Sequence, residues 1–228
     1  MQESLRRYVP GAIAEQLSAG TELSSGERAV TVLFVDIRGY TSFSESRQAG
    51  EIFSTINRYT ETVSQIVQQH AGSVVEFNGD GMMAVFGAPR ELTHKERAAV
   101  EAGREIVEAV AALPIEPALQ GREAERSQQD GLSVGVGIAT GEAFVGNIRA
   151  VDRMIWSAIG NTTNLAARLQ SLTRDLDASL VIDGGTWERG QPAAADFEKR
   201  ADVAIRGRRE SQDVYALSMP GVAGRSSA

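Results

Sequence analysis

With 228 residues, 42% hydrophobic and 23% charged, the chain can bury one sizeable α/β core, and nothing in it requires two full domains. A net charge of −7 argues against a nucleic-acid surface, which would need a basic face, so an anionic ligand has to be held by local groups. The lack of cysteine excludes a disulfide framework and any thiolate metal site. With no apolar run near the roughly 18 residues of a membrane span and no signal-peptide pattern, the chain reads as cytosolic (cytoplasmic).

Residues 1–29 form a head, with Leu5, Val9, Ile13 and Leu17 at helical spacing followed by a Gly/Ser-rich link. It reads either as a frayed surface helix or as a helix coupling to a further domain, because isolated helices of this length are marginal in water. Residues 30–218 form the folded unit. A strand is expected over 30–36, then a helix over 50–70 with Ile52, Phe53, Ile56, Tyr59, Val63, Ile66 and Val67 on its inner stripe. Strands over 73–77 and 82–86 flank Asn78-Gly79-Asp80-Gly81, a strong hairpin signal because these residues accept the positive φ of tight turns. A second helix over 93–113 has Thr93 as its cap with Glu96 three residues on. The Pro-, Gly- and polar-rich stretch 114–131 reads as a mobile connection. Strands over 132–139 and 143–148 form a further pair, a helix follows Gly160, and strands over 180–182, 197–205 and 213–217 close the sheet. Residues 219–228 read as a disordered tail. His70 and His94 stand alone and receive no metal or acid–base role, Met82 and Met83 read as core filler, and Trp156 as a buried strand aromatic.

Two acids end apolar runs: Asp36 in Leu33-Phe34-Val35-Asp36, and Asp80 on the hairpin tip. Either alone is an ordinary turn residue. Brought together at neighbouring strand tips they make an oxygen site for Mg²⁺ or Mn²⁺, and two such ions can clamp the attacking and leaving oxygens of a phosphoryl displacement. Further on, Asn164 and Arg168 sit four apart and share a helix face. Such a pair is usually a solvated face, but an Arg fork also suits phosphate oxygens.

Four segments taken together, VLFVDIRGYT (32–41), GSVVEFNGDGMMAVFG (72–87), VGVGIATGEAFVGNI (134–148) and IGNTTNLAARL (159–169), resemble the catalytic domain of class III nucleotidyl cyclases, the adenylyl and guanylyl cyclases. They occur in the family's order and at plausible spacing. The resemblance implies an α/β (α+β) fold with a ferredoxin-like βαββαβ core and a mixed sheet flanked by helices. It implies that Asp36 and Asp80, with the Ile37 carbonyl, bind two divalent cations (Mg²⁺ or Mn²⁺). Backbone amides from Ile37 through Gly39, Tyr40 and Thr41 would receive phosphate oxygens. Asn164 would orient the ribose and Arg168 would stabilise the α-phosphate as the 3′-oxygen attacks. Arg208, with Arg206 second, matches the family's basic residue for the terminal phosphates, although a solvated charge run explains that stretch as well. The family's site spans a head-to-tail dimer, which implies a homodimer, and many members carry a sensor domain before the catalytic unit.

Base recognition departs from the adenylyl pattern. The position where adenylyl cyclases usually carry Lys is Glu76, and the position where they carry Asp or Thr is Ser157. A carboxylate accepts from guanine N1–H and N2–H₂ while a hydroxyl donates to O6, so the reading favours GTP over ATP. Asn78 stands where the family usually has an apolar residue. Two rivals are weaker: a non-catalytic nucleotide-binding homologue, whose signature would be loss of a metal Asp or of Asn/Arg, none of which is lost, and the diguanylate cyclases, set aside because the FNGDG hairpin lacks their Gly-Gly-Asp/Glu-Glu-Phe motif.

Overall fold

The computed structural model describes residues 25–45, 47–114, 131–149 and 154–219. The amphipathic head with Leu5, Val9, Ile13 and Leu17, most of the expected connection (115–130) and the tail beyond Met219 lie outside the described residues. In chain order the elements are β1 (Gly26–Ile37), α1 (Tyr40–Glu45), α2 (Ala49–Gln69), β2 (Ser73–Asn78), β3 (Gly81–Phe86), α3 (Lys95–Ala111), β4 (Val134–Arg149), β5 (Met154–Ile159), α4 (Asn161–Asp175), β6 (Leu180–Asp183), α5 (Gly184–Arg189), β7 (Glu198–Val203) and β8 (Gln212–Leu217).

The strands form one mixed, eight-stranded sheet ordered β2-β3-β1-β4-β6-β8-β7, with β5 paired to β4 off that path. Its first four strands and the helices between them give the βαββαβ unit in spatial order β2-β3-β1-β4, and β4 and β6 form its parallel pair. The central strand β1 is buried on both faces, as near-continuous Val/Leu runs require. Leu33, Val35 and Ile37 enter a core shared with α2 and α3, whereas Val30 and Val32 enter a second core under α4.

Four expectations change. β1 starts at Gly26 rather than residue 30, because Gly26 to Ala29 pair with Glu142 to Val145. The expected strand pair 132–139 and 143–148 is one continuous strand, β4: the glycine between them, Gly141, stays paired with Val30 and is small because Thr162 Oγ1 would lie 2.7 Å from a side chain there. Phe53 is 69% exposed; it precedes the buried Thr55 by two residues and so lies about 200° round the helix from it. The second helix begins at Lys95, and Glu96 forms no capping box. Its carboxylate is buried, 2.9 Å from Arg189 Nε and 3.4 Å from Lys95 Nζ, a stronger pairing than a backbone N–H offers. Met82, Met83 and Trp156 are buried, and His70 joins α2 to α3 through Glu105 at 2.8 Å.

α4 lies directly on β4. A side chain at Gly137 would overlap the Gln170 nitrogen and Ala166 oxygen, and one at Gly135 would overlap the Thr173 hydroxyl. Backbone cannot move aside as a side-chain tip can. Gly137→Ala should therefore destabilise the domain by about 1–3 kcal/mol, measured as a shift of the urea midpoint at unchanged slope, and a neutral result would refute this packing account.

Candidate active site

Antiparallel pairing of β1 with β3 sets Val35 opposite Met82. Asp36 follows the first and Asp80 precedes the second by two residues, in a turn where Gly79 takes φ +66°. The two carboxyl groups meet and share a hydrogen bond. Burial, then the hydrogen bond and charge of Asp80, push Asp36 up to about 7, with Arg174 and the Ile37 N–H opposing. A shared proton is one way to hold two carboxylates together; a divalent cation is the other. The hydroxyl of Tyr59, fully buried and without a hydrogen-bond partner among the described residues, feels both carboxyl charges. Carboxylates, a nearby hydroxyl and backbone carbonyls form an all-oxygen donor set, which fits Mg²⁺ or Mn²⁺.

The chain then turns at Gly39 (φ +65°), where a Cβ would be strained, and Phe43 N donates to the Gly39 carbonyl at 3.0 Å as α1 begins. Gly39 and Thr41 are exposed and Tyr40 is half-buried, 6.4 Å from the Phe43 ring. The Arg38 side chain is engaged elsewhere, at the end of α4.

On α4, Asn164 is exposed and Arg168 half-buried. The Arg168 guanidinium lies over Gly207, whose added Cβ would sit 3.0 Å from Nη2; Gly207 also takes φ +75°. The next residue, Arg208, donates to Gln212 Oε1 at 2.6 Å and Asn161 Oδ1 at 3.2 Å. Its partners are neutral amides, so its charge is not cancelled by them. Beside it opens a cavity of about 560 Å³ that Thr140, Thr162 and Asp183 also line. Arg206 is exposed.

Glu76 is exposed on β2 opposite Met83, and Ser157 is buried on β5 opposite Gly146. β2 and β5 touch without pairing. Within one chain the carboxyl pair does not meet Asn164 and Arg168. The α4 cation whose charge reaches Asp36 is Arg174, six residues past Arg168 and so about 9 Å further along the helix. Three participants escaped sequence reading: Arg38, Arg174 and the Tyr59 hydroxyl. Only the helical stripe pointed to Tyr59, and only as core.

The Asp36 shift gives a pH dependence. The carboxyl holds its proton more tightly folded (about 7) than at its ordinary value of 3.8, so the folded state binds more protons across that window. The Asp36 contribution therefore destabilises the metal-free domain as pH rises from about 4 to about 7. Thermal melting in chelator should show a stability loss between about pH 4 and about pH 7 that Asp36→Asn reduces, and Mn²⁺ should restore more at the higher pH. Equal Mn²⁺ stabilisation of wild type and Asp36→Asn would remove Asp36 from the cation site.

Residues 24–219 match the adenylate and guanylate cyclase catalytic domain. An uncharacterized protein of Mycobacterium tuberculosis is 31% identical over 96% of this chain and 38% of its own length, so the chain spans under two fifths of that curated relative. The adenylyl cyclase CyaB from P. aeruginosa superposes with a TM-score of 0.70 at 28% identity, covering 89% of this chain and 100% of that one. A guanylyl cyclase crystal structure superposes with a TM-score of 0.67 at 27% identity, covering 89% and 99%. With the acid hairpin, the Asn/Arg helix and the mixed sheet in place, the match over residues 24–219 shows that the chain belongs to the adenylate and guanylate cyclase catalytic domain family.

Proposed function

We propose that this domain is a class III nucleotidyl cyclase that converts a nucleoside triphosphate, GTP in preference to ATP, to the 3′,5′-cyclic monophosphate and pyrophosphate at a homodimer interface. The observation that carries the reading is the joined Asp36–Asp80 carboxyl pair, with Arg168 held over Gly207 on α4 and Arg208 hydrogen-bonded to neutral amides between β7 and β8. Two divalent cations held by Asp36, Asp80 and the Ile37 carbonyl would neutralise triphosphate charge and acidify the ribose 3′-hydroxyl. Backbone amides of Gly39, Tyr40 and Thr41 receive phosphate oxygens. Asn164 orients the ribose. Arg168, kept in place over Gly207, stabilises charge growing on the α-phosphate as the new O3′–phosphorus bond forms, the bond to the β-phosphate oxygen breaks and the hydroxyl proton is released. Arg208 holds the leaving phosphates, with Arg206 as the second choice.

A second copy supplies what one chain lacks. Phe77, Phe144, Ile148 and Ile159 are 58, 52, 42 and 59% exposed on β2, β4 and β5. Exposed apolar side chains on β2, β5 and the strand to which β5 pairs suit a subunit interface. Residues 30–218 are the catalytic unit and residues 1–29 couple it to a sensor domain in a longer protein. No helix among the described residues is long and apolar enough to cross a membrane; the nucleotide substrate places the domain in the cytoplasm.

For the base, Glu76 accepts from guanine N1–H and N2–H₂ and Ser157 donates to O6. Adenine could use the same groups through N6–H₂. Guanine has one more donor, and a buried polar group left unpaired is worth about 1–3 kcal/mol, roughly one to two decades.

Two experiments test this. Asp36→Ala and Arg168→Ala chains should each fold and be inactive alone, yet mixed with subunit exchange they should recover about a quarter of wild-type activity, since half of randomly paired dimers hold one intact site of two. A mixture as dead as its parts, despite demonstrated exchange, defeats the shared-site reading. For the base, wild type should make cyclic GMP faster than cyclic AMP under matched Mn²⁺ and nucleotide, and Glu76→Lys with Ser157→Asp should shift preference toward ATP by at least about tenfold. Cyclic AMP formed tenfold faster by wild type, on the order of the predicted gap, would leave a cyclase but not a guanylyl cyclase.

A further inference from the structure

Arg38 follows the carboxylate strand tip by two residues and opens the loop that leads to Gly39, yet its guanidinium serves another element. Nη2 donates to the carbonyl of Thr173 at 3.3 Å and to that of Ala178, which closes the carboxy-terminal turn of α4. Its own N–H donates to Ser133 O at 2.8 Å, just before β4. Nε is buried without a partner among the described residues. A cation on the final carbonyls of a helix is favourably placed against the helix dipole. It is also a mechanical tie. Asn164 and Arg168 lie nine and five residues before Thr173, about 14 and 8 Å along the same rod.

The rod has little slack. Asp36 pairs with Gly135 and Phe34 with Gly137; α4 meets Gly137 with its backbone at Ala166 and Gln170, and meets Gly135 with the side chains of Thr173 and Gln170. From the tip of β1 through β4 into α4, the steps are strand pairing, the close backbone contact of Gly137 with α4, and the Arg38 tie to the carbonyls at the end of α4. Such a block moves as one body or not at all.

We propose that Arg38 is a positioning residue that couples the two active sites of the dimer, by tying the loop after Asp36 in one site to the helix that presents Asn164 and Arg168 to the other. This rests on the shared-site reading above, since only there do Asp36 and Arg168 of one chain belong to different sites. Substrate and cations gripped by one chain's loop then fix the α4 of that chain, and with it the transition-state groups of the opposite site. Misplacement of those groups by a fraction of an ångström lowers turnover without touching cation binding.

The test uses the mixed dimer of Asp36→Ala and Arg168→Ala chains, whose surviving site takes its carboxylates from the second chain and its Asn164 and Arg168 from the first. Arg38→Met placed in the Asp36→Ala chain, which lends no carboxylate to that site, should lower kcat about tenfold or more while the Mn²⁺ concentration for half-activation stays unchanged. Placed in the Arg168→Ala chain, it should raise that Mn²⁺ concentration. Arg38→Lys in the Asp36→Ala chain should recover part of the turnover, because an ammonium can still reach a carbonyl. If Arg38→Met fails to fold, as thermal melting would show, Arg38→Gln is read in the same way with one donor retained. An active reference dimer whose kcat is untouched by the substitution in the Asp36→Ala chain overturns the coupling and leaves the shared site standing. An inactive reference dimer overturns both.

Discussion

Two acid groups forced together at adjacent strand tips are the constraint around which this domain is built. Unit charges about 4 Å apart near a protein surface repel by roughly 4 kcal/mol. Each buried Val, Leu or Ile contributes about 1.5–3 kcal/mol. Leu33, Val35 and Ile37 on β1 and Met82 on β3, all at most 2% exposed, are therefore enough to hold the Asp36–Asp80 pair in place. The same comparison explains why the carboxyl groups sit at the end of β1 and not along it. There the register Val35–Met82 is already fixed by core packing, and burial is incomplete enough for a cation or a proton to reach the pair.

How much of this was legible in the sequence depends on whether the cause of a residue was local. Asp36 and Asp80 could be read because an apolar run and an Asn-Gly-Asp-Gly turn announce strand tips by themselves. The break expected between 139 and 143 is absent because a glycine there has two possible causes, and at Gly141 the cause is Thr162 closing on the strand from a helix twenty residues later. Glu96 offered a capping box on spacing alone; the cation that claims it, Arg189, is distant in sequence. Phe53 failed for a simpler reason: seven apolar residues were assigned to one stripe, and a helix face is too narrow for all of them. Arg38 carried no signal, since its partners are backbone carbonyls, which every residue has.

Charge placement follows from the same geometry. A chain of net charge −7 that is to hold a triphosphate needs cations that its own acids do not neutralise. Arg168 sits over a glycine and Arg208 against two amides, while the α4 cation whose charge reaches Asp36 is Arg174, about 9 Å along the helix from Arg168. Were these groups adjacent in one chain, they would form an ion pair and the site would be satisfied without substrate. In the proposed shared-site reading, keeping them apart leaves each half unsatisfied until a second copy, related by a two-fold axis, supplies the complement.

Selectivity for the base is independent of all this. Carboxylates, guanidinium groups and phosphate loop act on atoms that GTP and ATP have in common, so neither the backbone nor the catalytic groups distinguish them. An adenylyl and a guanylyl cyclase superpose on this chain almost equally well for that reason. In the proposed reading, what differs between the bases is met by Glu76 and Ser157 on β2 and β5, two strands that touch but do not pair. Their register is consequently not locked by shared hydrogen bonds, and Glu76 lies next to an irregularity in the β2–β3 pairing. A substitution at Glu76 or Ser157 can change the donor pattern without disturbing the strand tips at Asp36 and Asp80, whose position is set by β1 and β3. On that reading substrate choice rests on β2 and β5 and the chemistry on the tips of β1 and β3, so one can be altered while the other stays in place.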